Sequence, residues 1–127
     1  MPIKNLTELL KYANPELQSG SYVFVSVAEP TTVPAEEVLM SFRESEGLTL
    51  ILPKQVAVAH GLEYQYEASW ITMKVTSALE AVGFTAAFAT ALGQHNISCN
   101  VVAGYHHDHL FVAASDGERA VEVLQKL

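Results

Sequence analysis

The sequence predicts an α+β fold, and three observations carry that prediction. Stretches such as "SWITMKVT" alternate apolar and polar residues as a half-buried strand does, while "FTAAFATALGQH" places apolar residues at helical spacing. Two strand-then-helix stretches, "GLTLILPKQVAVAHGL" and "DHLFVAASDGERAVEVLQKL", stand about 62 residues apart, which is the signature of an internal duplication. With 127 residues, half of them hydrophobic, the chain can bury a core of ordinary size, as one domain or as two small halves sharing it.

The first helix begins at Asn5, placed as an N-cap with Glu8 after it; Leu6, Leu9, Leu10 and Ala13 share a face, and Asn14-Pro15 stops it. "YVFVSVA" from Tyr22 to Ala28 is a strand with Val23, Val25 and Val27 on one face. "VLMSFRESEGLTLIL" reads as a hairpin: Val38, Met40 and Phe42 alternate on one arm, Leu48, Leu50 and Leu52 on the other, and Glu44 to Gly47 turn. Pro53 suits the start of a helix, and "KQVAVAHG" gives two turns ended by Gly61.

The second cycle is better defined. Ile71, Met73 and Val75 alternate against Trp70, Thr72, Lys74 and Thr76, a strand with one buried face. After "LEAVG", the residues Phe84, Ala87, Phe88, Ala91 and Leu92 make one apolar helical face. "ISCNVVAG" and "HLFVAA" are strands with "YHHD" between them, and Ser115 with Glu118 suggests a capping box for a last helix whose Ala120, Val121, Leu124 and Leu127 face inward. The order is strand, helix, strand, strand, helix. In the first half, the Pro-containing "EPTTVPAEE" stands where the corresponding helix would be. The chain is thus expected to consist of two ferredoxin-like βαββα units with antiparallel sheets covered by helices, residues 1–66 being an eroded copy and 67–127 the intact one.

Composition bounds the function. The 14 acidic residues outnumber 7 basic ones, and the latter are scattered rather than gathered into a stripe, which argues against a nucleic acid as partner. The start "KNLTELLKYA" is mixed rather than an apolar leader, and no 18-residue apolar run occurs, so a cytoplasmic protein without a membrane partner is expected. Cys99, the single cysteine, has no intramolecular disulfide partner and reads as a small buried group with a raised pKa.

"LEAVGFTAAFATALGQHNISCNVVAGYHHDHLFV" resembles the ACT domain, a small regulatory module that binds amino acids, in which a first strand leads through an acidic-x-x-Gly turn into the first helix and is followed by a hairpin. With "FRESEGLTLIL" upstream, nearly the whole chain resembles small bacterial proteins of two ACT-like units, related in fold to the arginine-sensing ACT proteins of animals. The family turn usually carries Asp, and Glu80 stands in its place here. The first half departs from the pattern by lacking a clear first helix.

The turn has a chemistry of its own. Gly83 lets the backbone close tightly, the helix that follows offers free N–H groups and a positive dipole end for a carboxylate, and Glu80 is placed to meet an ammonium group. An α-amino acid presents both charges. The blander reading makes Gly83 a plain strand-to-helix turn and Glu80 a solvated carboxylate. The expected ligand site comprises Glu80, Ala81, Val82, Gly83, Phe84 and Thr85, with Asn100 offering a donor and an acceptor from the neighbouring strand and Tyr105 and His107 at the rim.

"YHHDH", from Tyr105 to His109, looks at first like a metal site. Neighbouring side chains of a hairpin point to opposite faces, however, so His107 and His109 share one face and His106 and Asp108 the other. A zinc site needs three or four convergent ligands, and His60 and His95 would have to be recruited from distant helix ends. No metal and no cofactor is expected; the imidazoles are expected to hydrogen-bond across the turn or to a partner chain, with Asp108 helping to close it. Neither a G-x-S-x-G setting, a P-loop nor a G-x-G-x-x-G turn occurs. The expected function is that of a regulatory, non-catalytic homodimer binding an amino acid or similar metabolite. The alternatives are a protein-interaction module with a vestigial ligand turn and a metal-dependent enzyme using the histidines.

Overall fold

A computed structural model describes residues 2–127. In chain order they form helix α1 (Leu6–Lys11), strands β1 (Pro15–Leu17), β2 (Tyr22–Val27), β3 (Met40–Glu44) and β4 (Gly47–Pro53), and helix α2 (Lys54–Ala59). Strand β5 (Glu67–Met73), helix α3 (Phe84–Gln94), strands β6 (Asn100–Ala103) and β7 (Asp108–Ala113) and helix α4 (Gly117–Gln125) follow. The fold is α+β, with antiparallel pairing at β1–β5, β2–β4, β2–β5, β3–β4 and β6–β7.

The chain divides into two compact units, one of residues 20–68 and the other of the segment up to Ser19 together with Ser69–Leu127. In the first, the neighbour order is β3, β4, β2, and the first two residues of β5 pair with Tyr22 and Val23. Val23, Val25, Leu50 and Leu52 point to one face, where Ala57 of α2 and Val33 of the loop close a small core. The helix missing from "EPTTVPAEE" is reduced to one 3-10 turn, Ala35–Glu37. Phe42, on the alternating face of the first arm, is 64 % exposed, and β3 is the last strand of its ladder.

In the other unit the neighbour order is β6, β7, β5, β1. Ile71, Met73, Leu110 and Val112 form the sheet side of the core, and Phe84, Phe88 and Leu92 of α3 with Ala120 and Leu124 of α4 form the helix side. The N-terminal segment belongs here: Asn5 caps α1 by accepting from the Glu8 N–H at 3.2 Å, and Leu9 and Ala13 enter this core. The compact units therefore divide the chain differently from the halves 1–66 and 67–127 of the sequence repeat. Two further details depart from expectation. Both faces of β5 are covered, since Thr72 is only 3 % exposed. The capping box does not form: Ser115 lies in a 3-10 turn, Ala114–Asp116, and among the described residues no side chain caps α4. Close packing sets that boundary, for Ser69 Oγ donates to the Ala114 carbonyl at 3.0 Å, and a Cβ on Gly117 would stand 2.8 Å from the same hydroxyl.

Candidate functional site

The end of β5 is carried into α3 by residues 74–83. The N-terminal segment fixes this connection, as the Ile3 N–H donates to the Thr76 carbonyl at 2.8 Å and the Ala78 N–H to the Ile3 carbonyl at 2.9 Å. Gly83 then starts the helix with φ 91°, a left-handed conformation that glycine adopts at little cost. A Cβ there would lie 3.3 Å from Leu6 Cδ2. Among the described residues no side chain caps α3, so its first N–H groups retain the anion-favouring character of a helix start.

Between this turn, the end of β6 and the start of β7 lies a crevice of about 80 Å³, where one water needs about 10–15 Å³. Ala78, Leu79, Ala81, Phe84 and Ala103 make it apolar, while Ser77, Thr85 and Asp108 supply its polar groups. Asp108 is only 7 % exposed and accepts a hydrogen bond from Ser77 Oγ at 3.3 Å. Burial pushes its carboxyl above the ordinary carboxylate range, against the pull of the Ser77 hydroxyl and of the His109 and His107 imidazoles. A carboxylate so placed gains from a cation brought into the crevice.

Of the residues expected at the site, Ala81, Phe84 and Thr85 line the crevice, and Gly83 shapes its edge. Glu80 stands outside, paired at 2.7 Å with Lys4, whose hydrogen bond holds the carboxyl below its ordinary range. Val82 and Tyr105 are more than four-fifths exposed. Asn100 sits at the far end of β6, opposite Phe111, whose carbonyl accepts from its side-chain N–H at 3.3 Å. His107 closes the hairpin by its backbone, its carbonyl accepting from the Gly104 N–H at 2.9 Å, so Asp108 is free for the crevice rather than the turn. Asp108 and Ser77 line the crevice without being among the residues the sequence points to, although the alternation that sets Asp108 on the face opposite His109 is an available signal. Burial raises the Cys99 thiol to about 11. Among the described residues no three His, Cys, Asp or Glu side chains come together as a metal site.

In the unit of residues 20–68 the counterpart of β7 is β4, which opens with Gly47 instead of an acid. A Cβ on Gly47 would lie 2.8 Å from Ser26 Oγ and 3.1 Å from the Val27 carbonyl oxygen, so the strand ends are pressed together there. That unit has a wider groove of about 720 Å³ lined by residues 24–26 and 62–66, but no polar side chain lining it is buried. The smaller crevice, with its buried acid, is the better candidate.

The pattern of the ACT domain matches residues 1–69, and a second ACT domain pattern matches residues 65–126. The chain belongs to the ACT domain family. Its two tandem ACT segments share the solved fold of a protein of unknown function from Vibrio cholerae, described as a possible transport protein, with 45 % identity, a TM-score of 0.84 and coverage of 93 % of this chain and 91 % of that one. An Agrobacterium tumefaciens protein matches at 19 % identity and a TM-score of 0.68, over 88 % of this chain and 86 % of that one. The regulatory subunit of aspartate kinase from Thermus flavus matches at 8 % identity and a TM-score of 0.60, over 88 % and 95 % of the two chains. The last two likenesses concern the fold alone. No match was found among curated proteins. ACT domains are regulatory modules for small molecules, and among the described residues no helix is long and apolar enough to cross a membrane.

Proposed function

We propose that this ACT protein is a cytoplasmic, non-catalytic sensor that binds a small α-amino acid in the crevice beside Gly83. The observation that carries the reading is Asp108, a buried carboxylate beside the uncapped start of α3. The ligand's ammonium group meets Asp108 and Ser77, its carboxylate meets the N–H groups at Phe84 and Thr85, and its side chain lies along Ala81 and Ala103. This assigns to Asp108 the cation-binding part that the sequence suggested for Glu80.

The test is a thermal-shift screen of the twenty amino acids. A ligand at 100 times its dissociation constant stabilises the fold by about 2.7 kcal/mol, several degrees of melting temperature for a domain of this size. Asp108→Asn and Gly83→Val are each expected to remove the shift, the second because a β-branched residue resists the left-handed turn. If no amino acid raises the melting temperature, or the shift survives both substitutions, the chain is better read as a protein-interaction module.

A further inference from the structure

On the sheet face away from α3 and α4, β5 and β7 are joined by side chains that the crevice does not use. Trp70 Nε1 donates to His109 Nδ1 at 3.1 Å, and Thr72 Oγ1 lies 3.2 Å from the same nitrogen. Gln18 Nε2 donates to Thr72 Oγ1 at 3.1 Å, which leaves the threonine hydroxyl hydrogen for His109. An indole N–H can only donate, so Nδ1 holds no proton and the neutral ring carries its hydrogen on Nε2. Protonating Nδ1 sets two N–H groups against each other. Thr72 can reverse its hydroxyl; Trp70 cannot.

We propose that His109 is a proton-operated latch: neutral, it ties Trp70 of β5 to β7, and protonated, it releases the start of β7 and the adjoining Asp108. The groups facing it are His107, whose ring centre is 6.5 Å away, and Asp108 on the same hairpin, Lys74 just beyond β5, and Glu16 on β1 through Gln18; Val102, opposite on β6, does not titrate. Burial, His107 and Lys74 hold the imidazole below its ordinary 6.5, against Asp108. The latch is therefore closed above that value and opens as pH falls through the lower folded one. Only its consequence for the crevice ligand, weaker binding at mildly acid pH, rests on the function proposed above.

Trp70 is the single tryptophan, so its indole N–H gives one isolated NMR resonance. Between about pH 8 and about pH 5 it is expected to titrate with a midpoint below 6.5 while far-UV circular dichroism stays constant. His109→Gln, whose carboxamide oxygen accepts at every pH in this range, is expected to flatten the titration. His107→Gln is expected to keep it and move the midpoint upward, because the imidazole whose electrostatic influence lowers the His109 pKa is gone. An indole signal that does not move, that moves equally in His109→Gln, or that moves only with loss of secondary structure overturns the latch. Those outcomes leave the ligand reading standing, whereas a panel without a binder overturns that reading and leaves the latch.

Discussion

Asp108 is the buried acid of the crevice beside Gly83. It begins a strand, is nearly fully buried and has one hydroxyl partner, Ser77. Its folded pKa is raised above the ordinary 3.8, so its contribution to stability is fully present below that value and is lost as pH rises through the folded pKa. The ionised carboxylate is therefore the form that costs stability in the fold. Asp108→Asn is expected to raise the melting temperature of the ligand-free protein at pH 7, with the gap closing as pH falls toward 4; a variant that melts below the wild type at pH 7 contradicts the assignment. A ligand that brings a cation relieves the same cost, which links the stability of the residue to the affinity of the site.

At the scale of elements, most boundaries were legible because they follow local rules. Asn5, the Pro53 helix start and the left-handed Gly61 behave as short-range chemistry dictates. Where packing overrides such rules, the reading failed. Ser115 has the spacing of a cap, yet Gly117 is pressed against Ser69 and the helix begins there instead, with Arg119 bonded to Asp116 at 3.1 Å and to the His95 carbonyl at 2.8 Å. The two caps can be told apart by denaturant unfolding. Asn5→Ala is expected to cost about 1 kcal/mol, whereas Ser115→Ala should stay within about 0.5 kcal/mol of the wild type. The crevice was legible only in part for the same reason: the turn from Ala81 to Thr85 is local, but Asp108 reaches it from a strand 23 positions beyond Thr85, and spacing along the chain carries no record of that approach.

The molecule as a whole repeats one arrangement. The strand, hairpin and helix of residues 20–68 and of residues 69–127 have matching neighbour orders, β3-β4-β2 and β6-β7-β5, as the duplication implied. What the repeat did not reveal is where the opening segment packs, since β1 has only three residues and begins with Pro15, too short for any periodicity. Each ladder also ends on an open strand, β3 in one unit and β6 in the other, and Phe42 stands exposed on the first. Such edges are normally covered, and two-fold pairing is the commonest way to do it. Sedimentation is expected to find a dimer at micromolar concentration; a monomer there would refute the pairing.

The interleaving of the units gives the chain a timetable. Residues 20–68 emerge from the ribosome as a continuous stretch and can assemble at once, while α1 and β1, made earlier, have nothing to pack on until β5, β7 and α3 have been synthesised. For that interval Leu9 and Ala13 remain without their core. Because Ile3 holds the connection after β5 at both Thr76 and Ala78, the crevice is shaped by a residue translated well before the ones that line it.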